Sequence, residues 1–371
     1  MRRTRVFGPA YLDRVLRVDR PLLNEGTVDG SYDGQLIGER RDIFIEDGDR
    51  TTINLSPPTG WPGPLGRIRL SRPLSIERNR GENHRDAIGV AWNDDLGGMG
   101  AGFAAALQGE LVSAVGSDDD EFTQAILARL EGEGIAHRPI TVANRATDWS
   151  LIVSSGRFGD KLAIGFRGCH AALSNLDQAD LSADCDLLVV AGLPNRLLAQ
   201  ALSVPASVRF VAPAMRNMRD SDLPLASLAG RFDLLSCNRQ EWLALSGRDL
   251  VLSRTPIVVV TDGPAGCTCY YLGSDASLHT IDLPVFPRDD PPRDTNRAGE
   301  AFASTLVSGL MELGWTPGPI DSGMMRHAGL RASAAAALVL DREDFGFPSG
   351  DDIDKAIRAG RVAGGDIGTI G

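Results

Sequence analysis

The chain has 371 residues, enough for one large α/β domain or two smaller ones, and its 43% apolar content is ordinary for a globular protein. A formal net charge of -11, with no dense Lys/Arg block, excludes a general nucleic-acid binder. Five cysteines, Cys169, Cys185, Cys237, Cys267 and Cys269, are odd in number and irregular in spacing, which excludes a disulfide framework; Cys267 and Cys269 read as two small side chains on one strand face rather than as a zinc site.

The first eight residues are basic, but no apolar run follows them, so they do not read as a signal peptide. Residues 5–18 open as a strand and a turn punctuated by Gly8-Pro9. From 24 to 95 the character changes to a Gly-, Pro-, Arg- and Asp-rich stretch with one clear hairpin. There Ile43, Ile45 and Ile53, Leu55 alternate with polar residues around Asp47-Gly48. This stretch reads as an insertion or lid outside the main core.

Regular α/β alternation begins at residue 96. Gly97-Gly98-Met99-Gly100-Ala101-Gly102 leads into a small-residue helix, and residues 111–115 form a strand. Asp118-Asp119-Asp120 starts a helix with Phe122, Ile126, Leu127 and Leu130 on one face. Residues 150–154 and 161–166 form a hairpin around 156–159, then buried-type strands follow at 186–190, 208–212, 232–235, 257–261 and 267–272. Helices are expected from Ala298, over 326–340 and over 351–361, with 364–371 as a loose tail. Short apolar runs alternating with helices imply a parallel sheet covered on both faces. The longest apolar stretch, 334–340, is far short of a membrane span, so the expectation is a soluble cytoplasmic protein with a small-molecule substrate and no membrane or nucleic-acid partner.

The most informative segment is Asp294-Thr295-Asn296-Arg297-Ala298-Gly299-Glu300-Ala301-Phe302. It joins a loop to an apolar helix, and small residues there bare the first N–H groups of that helix. Such an end binds phosphate, because the N–H groups are unpaired and the dipole end is positive. Glu300 stands where a carboxylate can take a proton from an attacking hydroxyl. Asn238 and Glu241, three apart at a helix start, either organise water around Mg²⁺ or form a capping box, and both can hold at once. Thr261 to Gly266 is a turn after an apolar strand, either a ligand edge or a plain strand connection. His170 and His327 have no metal-ligand pattern around them in sequence and read as ordinary histidines.

Taken together, these segments resemble the ribokinase-like (PfkB) carbohydrate kinase family over residues 5–340, interrupted by 24–95. Val6-Phe7-Gly8 with Asp13 looks like its opening strand and sugar-binding Asp. Gly97, Gly98 and Met99 lie in its Gly-Gly substrate motif, and Asn238-Arg239-Gln240-Glu241 matches its N-x-x-E. Thr261, Gly263 and Gly266 fit its nucleotide-side turn, and the segment from Asp294 to Glu300 resembles its D-T-x-G-A-G-D anion hole and base. The resemblance implies a three-layer α/β/α sandwich with a small β lid. The core would be 1–23 and 96–363, including a lid hairpin at about 148–167, and 24–95 would extend the lid. It also implies ATP as co-substrate, Mg²⁺, Glu300 as base, Arg297, Ala298 and Gly299 in the anion hole, and Asp13 with Arg167 at the acceptor. Exposed lid edges make a candidate homodimer surface.

Four departures stand out. Gly102 occupies a position where the family usually has Asn, and Met99 one that is often polar, which suggests a less polar or larger acceptor than a simple sugar. Glu300 replaces Asp, carrying the carboxylate about 1.5 Å further on a fixed backbone; a misplacement of about 1 Å can cost on the order of a hundredfold in rate. Arg297 replaces Gly, and its guanidinium either neutralises phosphate charge or fills the phosphate space. An active sugar kinase and a catalytically impaired binding or regulatory protein on the same fold are therefore the two readings.

Overall fold

A computed structural model of the chain describes residues 2–20, 26–32, 41–48, 50–71, 86–155, 161–290, 297–342 and 345–362. The expected turn at 156–159, the residues Asp294, Thr295 and Asn296, and the tail at 364–371 lie outside the described residues.

The strands are β1 (Thr4–Phe7), β2 (Tyr11–Val18), β3 (Gly26–Tyr32), β4 (Ile43–Asp47), β5 (Arg50–Ser56), β6 (Gly66–Leu70) and β7 (Asp86–Gly97). They continue as β8 (Glu110–Val115), β9 (His137–Thr141), β10 (Trp149–Ser154), β11 (Lys161–Phe166) and β12 (Cys185–Ala191). The last are β13 (Ala206–Ala212), β14 (Leu234–Asn238), β15 (Ile257–Thr261), β16 (Cys267–Leu272) and β17 (Leu278–Leu283). The helices are α1 (Met99–Leu107), α2 (Glu121–Gly132), α3 (Cys169–Ala172), α4 (Gln178–Leu181), α5 (Asn195–Ala201) and α6 (Met215–Arg219). Then come α7 (Arg239–Ala244), α8 (Arg248–Arg254), α9 (Ala298–Glu312), α10 (Ser322–Val339) and α11 (Gly350–Ala359).

One sheet has nine strands in the order β17-β16-β15-β14-β13-β12-β1-β8-β9. It is parallel from β9 to β15 and turns antiparallel at β16 and β17. Side chains alternate across it. Val6, Leu187, Val189 and Val259 enter one core with helices α1, α9 and α10, while Phe7, Leu188, Val190 and Val258 enter the other with α5 and α8. A strand buried on both faces reads as a continuous apolar run, which is why these segments were legible. The result is an α/β/α sandwich.

The remaining eight strands close into a barrel, in the order β10-β11-β3-β6-β4-β5-β7-β2, with β2 pairing back to β10. Antiparallel and parallel pairs alternate around it. Its interior is filled by Leu16, Ile43, Ile45, Ile53, Leu55, Ile68, Leu151 and Ile164, all fully buried. An eight-stranded barrel is just wide enough for side chains to fill, so this lid has its own packed core, continuous with the core under α1 and α9.

Several expectations change here. Residues 5–18 are two strands in two different sheets, because Gly8-Pro9-Ala10 carries the chain from sheet to barrel. Asp13 is therefore not beside a strand end but inside β2. The lid draws on β2 as well as on 24–95 and the hairpin. β7 runs across residue 95, so Asp95 is part of a long strand that also carries Gly97. The strand-edge argument for a dimer loses its basis: a closed barrel has no edge, and the described lid strands pair on both sides. Cys267 and Cys269 do lie on one face of β16, buried and free.

Candidate active site

The loops that follow β1, β12, β14 and β15 all open at the carboxyl edge of the sheet, where open α/β sheets bind ligands. The barrel stands over that edge, connected through β2, β7, β10 and β11. Two groups of residues meet there.

The acceptor-side group is built on the barrel strands. Asp13 of β2 pairs across to Asp95 of β7 and to Ser150 of β10, so the three side chains share one face. Burial pushes the Asp13 carboxyl up to about 6, the Asp95 charge adds to this, and Lys161, a Ser150 hydrogen bond and Arg167 oppose it. Tyr11 lies two residues before Asp13, hence on the same face. The Arg167 guanidinium stacks 4.5 Å above its ring and is held by Asp29 at 3.1 Å. Gly97 is opposite Tyr11, and any side chain there would collide with the Asp13 carboxylate, since a Cβ would fall 2.1 Å from Oδ2. Gly97 thus makes room for Asp13. Gly98, at φ 92, starts α1, and Met99 packs towards Gly192 at the end of β12.

The phosphate-side group is built on α7 and α9. Glu300 lies in the first turn of α9, half-buried. Burial raises its pKa above the usual carboxylate value, opposed by its own backbone N–H and by Arg297. The first backward bond of α9 runs from Ala301 N–H to Arg297 O at 2.8 Å, so the N–H groups of Ala298, Gly299 and Glu300 precede any helical partner. Across from them, Asn238 and Glu241 form a reciprocal capping box at the start of α7, with both bonds at 2.9 Å. Burial raises the Glu241 pKa, and the Glu300 charge raises it further, so the two carboxylates feel one another. Thr261 pairs with Asn238, and the exposed Gly263–Ala265 turn follows with Gly263 and Gly266 at positive φ. An ion pair of 3.1 Å between Arg239 and Asp262 ties that turn to α7.

Two departures from the family pattern touch each other. A Cβ on Gly102 would lie 3.2 Å from Cγ of Glu300, so α1 has given up a side chain where α9 carries a longer one. Arg297 takes a left-handed conformation, φ 64, at the start of α9, costly for a residue with a Cβ. Its guanidinium is directed to Asp95 of the barrel, 3.4 Å away, and lies over the Phe345 ring. It therefore bridges the phosphate-side helix to the acceptor-side strand pair.

A family profile, pfkB family carbohydrate kinase, matches residues 88–350. The chain belongs to the pfkB family of carbohydrate kinases. That places it among sugar-type kinases, and the match covers α1, α7 and α9 though not Asp13. No curated protein sequence matches the chain. Among solved structures it is similar to a nucleoside kinase of Methanocaldococcus jannaschii, at 15% identity and TM-score 0.63, covering 97% of this chain and 99% of that one. It is likewise similar to the Burkholderia thailandensis nucleoside kinase solved with inosine, at 15% identity and TM-score 0.62, covering 96% and 98%. A third is the ribokinase of Cryptococcus neoformans var. grubii serotype A solved with ADP, at 16% identity and TM-score 0.55, covering 96% and 99%. At these identities the likeness establishes the ribokinase-like fold of this pfkB-family chain.

Sequence reasoning did not single out Tyr11, Asp95, Ser150 and Lys161, the last three of which come beside Asp13 only through strand pairing. Alternation along β2 was the available signal for Tyr11; nothing local marked the others. It also read His170 as ordinary, whereas the fold brings Asp148 against both Cys169 and His170. Among the described residues, no helix is long and apolar enough to cross a membrane.

Proposed function

We propose that the protein transfers the γ-phosphoryl group of ATP to a hydroxyl of a sugar or sugar-like alcohol. The observation that carries the reading is Glu300, half-buried in the first turn of α9 against Gly102 with a weakened acid, on the helix whose N-cap residue, Arg297, reaches Asp95 beside Asp13. Asp13 accepts hydrogen bonds from acceptor hydroxyls and orients one of them towards Glu300. Glu300 takes the hydroxyl proton as the oxygen attacks phosphorus and the bond to ADP breaks. Charge on the transferring oxygens meets the N–H groups of Ala298, Gly299 and Glu300, and the Arg297 guanidinium. Magnesium-bound ATP supplies the phosphoryl group with part of its charge neutralised. Asn238 and Glu241, at the start of α7, would hold magnesium through water, and the ion would neutralise part of the phosphate charge.

On the acceptor side, the Tyr11–Arg167 stack beside Asp13 and the apolar Met99 favour an alcohol with a flat or apolar portion, so nucleosides belong in the test beside hexoses and pentoses. Glu300→Gln, assayed for ATP turnover over that panel, is expected to lose about 10²- to 10⁴-fold in kcat while retaining ATP-Mg²⁺ binding by calorimetry. Unchanged turnover would remove the base from the mechanism. A second reading, a kinase-fold binding or regulatory protein, is favoured by Arg297, whose strained turn and pairing to Asp95 restrict the transfer space. Nucleotide binding without product on any acceptor would select it.

A further inference from the structure

Asp148, Cys169 and His170 meet where the lid hairpin joins the core. Asp148 immediately precedes β10, and Cys169 and His170 open α3 shortly after β11. All three side chains are excluded from solvent. The Cys169 sulfur lies 3.4 Å from Asp148 Oδ1 and 3.6 Å from His170 Nδ1, and that nitrogen lies 3.6 Å from Asp148 Oδ2. One donor atom from each residue falls within 4.8 Å of the other two. Bonds of about 2.0 Å to nitrogen and oxygen and about 2.3 Å to sulfur, at tetrahedral angles, put donors roughly 3.3–3.6 Å apart. The sulfur–nitrogen separation already has that size, and the carboxylate meets the sulfur with Oδ1 and the nitrogen with Oδ2 at similar distances.

A second feature points to a ligand. Oδ2 of Asp148 is buried and has no hydrogen-bond partner, although Oδ1 accepts from the N–H groups of Gly168 and His170. Oδ2 faces the imidazole Nδ1 at 3.6 Å and the Arg167 guanidinium at 3.9 Å without a hydrogen bond to either, and a coordinated cation would satisfy it.

We infer that Asp148, Cys169 and His170 bind one zinc-class divalent cation, which clamps the lid hairpin to the core. Thiolate and imidazole donors select zinc over magnesium, so this site is distinct from any nucleotide-bound metal. On binding, the Cys169 thiol loses its proton to solvent and His170 donates the Nδ1 lone pair. Thiolate and carboxylate then balance the dication, while Arg167, 3.9 Å from Oδ2, keeps Asp29 as its counter-ion. Without a cation, burial holds the Cys169 thiol at about 12; coordination is what would ionise it.

The test uses the full chain, purified without chelator and titrated with zinc chloride against a chromophoric chelator, then with cobalt chloride. The expected result is one zinc per chain at sub-micromolar affinity and a near-ultraviolet thiolate-to-cobalt band. That band is lost in Cys169→Ser and kept in Cys267→Ser. If Cys169→Ser does not fold by circular dichroism, His170→Asn takes its place, with the same loss expected. Failure of the wild-type chain to compete for zinc at micromolar concentration overturns the site. So does a cobalt band that survives in the Cys169 or His170 variant.

Discussion

Lengthening a carboxylate by one methylene at the mouth of α9 displaces charge that has to be re-aimed, and the facing helix supplies the space. Gly102 sits against Cγ of Glu300, so the two substitutions compensate sterically. Restoring a Cβ at 102 pushes Glu300 by a few tenths of an ångström or more. Gly102→Ala is therefore expected to lower kcat about tenfold or more while leaving the thermal midpoint nearly unchanged, read by steady-state kinetics beside a melting curve. Asp13 gives a prediction with a sign. Its folded pKa, about 6, is raised above the unfolded value, so the folded state binds the proton more tightly. Stability then falls as pH rises from about 4 through 6, and the ionised form persists above that range at a cost of about 3 kcal/mol. Asp13→Asn should melt higher than the wild type at pH 8, with the difference shrinking at pH 4.5. On the proposed mechanism the same variant should raise the acceptor KM, because a carboxylate that accepts the hydroxyls is lost. Wild-type kcat/KM should decline as pH drops below about 6. A flat profile from 5 to 8 would mean Asp13 does not bind acceptor in its ionised form.

Among the elements, β2 bears the heaviest constraint. One of its faces carries Tyr11 and Asp13 to the acceptor side, and the other carries Leu12, Arg14 and Leu16 inwards. Arg14 is the exception in that inward row. It is buried, makes a two-pronged contact with Asp94 of β7 at 2.9 and 3.1 Å, and donates to Pro62 O. Removing one partner of a buried pair strands the other charge. Asp94→Ala should cost about 3–5 kcal/mol in chemical denaturation, whereas the double change Arg14→Met with Asp94→Leu should recover most of it. A single and a double variant of equal stability would mean that water satisfies Arg14. At α7 the capping box explains Asn238 and Glu241 mechanically, and the Glu241 carboxylate also feels the Glu300 charge. The signals for α7 and α9 were legible because capping and small-residue helix starts are local. Asp95 was read as part of an insertion because the polar composition of 24–95 masked a strand that crosses its boundary.

For the whole molecule, closure is the consequence with the widest reach. β3 covers the outer side of β11 and β5 covers β7, so strands from the 24–95 stretch occupy the positions where another chain's strand would otherwise add. A sheet closed on itself offers no unpaired ladder. The chain is expected to run as a monomer of 39.6 kDa by light scattering at micromolar concentration, and a stable dimer there would require a different surface. By itself the sequence determined what short-range physics encodes: the buried parallel strands from their apolar runs, the helix starts from their caps, and the family resemblance carried by its motifs. Tertiary structure alone decided which strand lies beside which. Register places Asp95 opposite Asp13, closure of the barrel depends on β2 meeting β10, and the Asp148, Cys169 and His170 cluster needs two segments about twenty residues apart to return to one point. Those are contacts between surfaces that no local propensity specifies, chosen by the burial they jointly achieve.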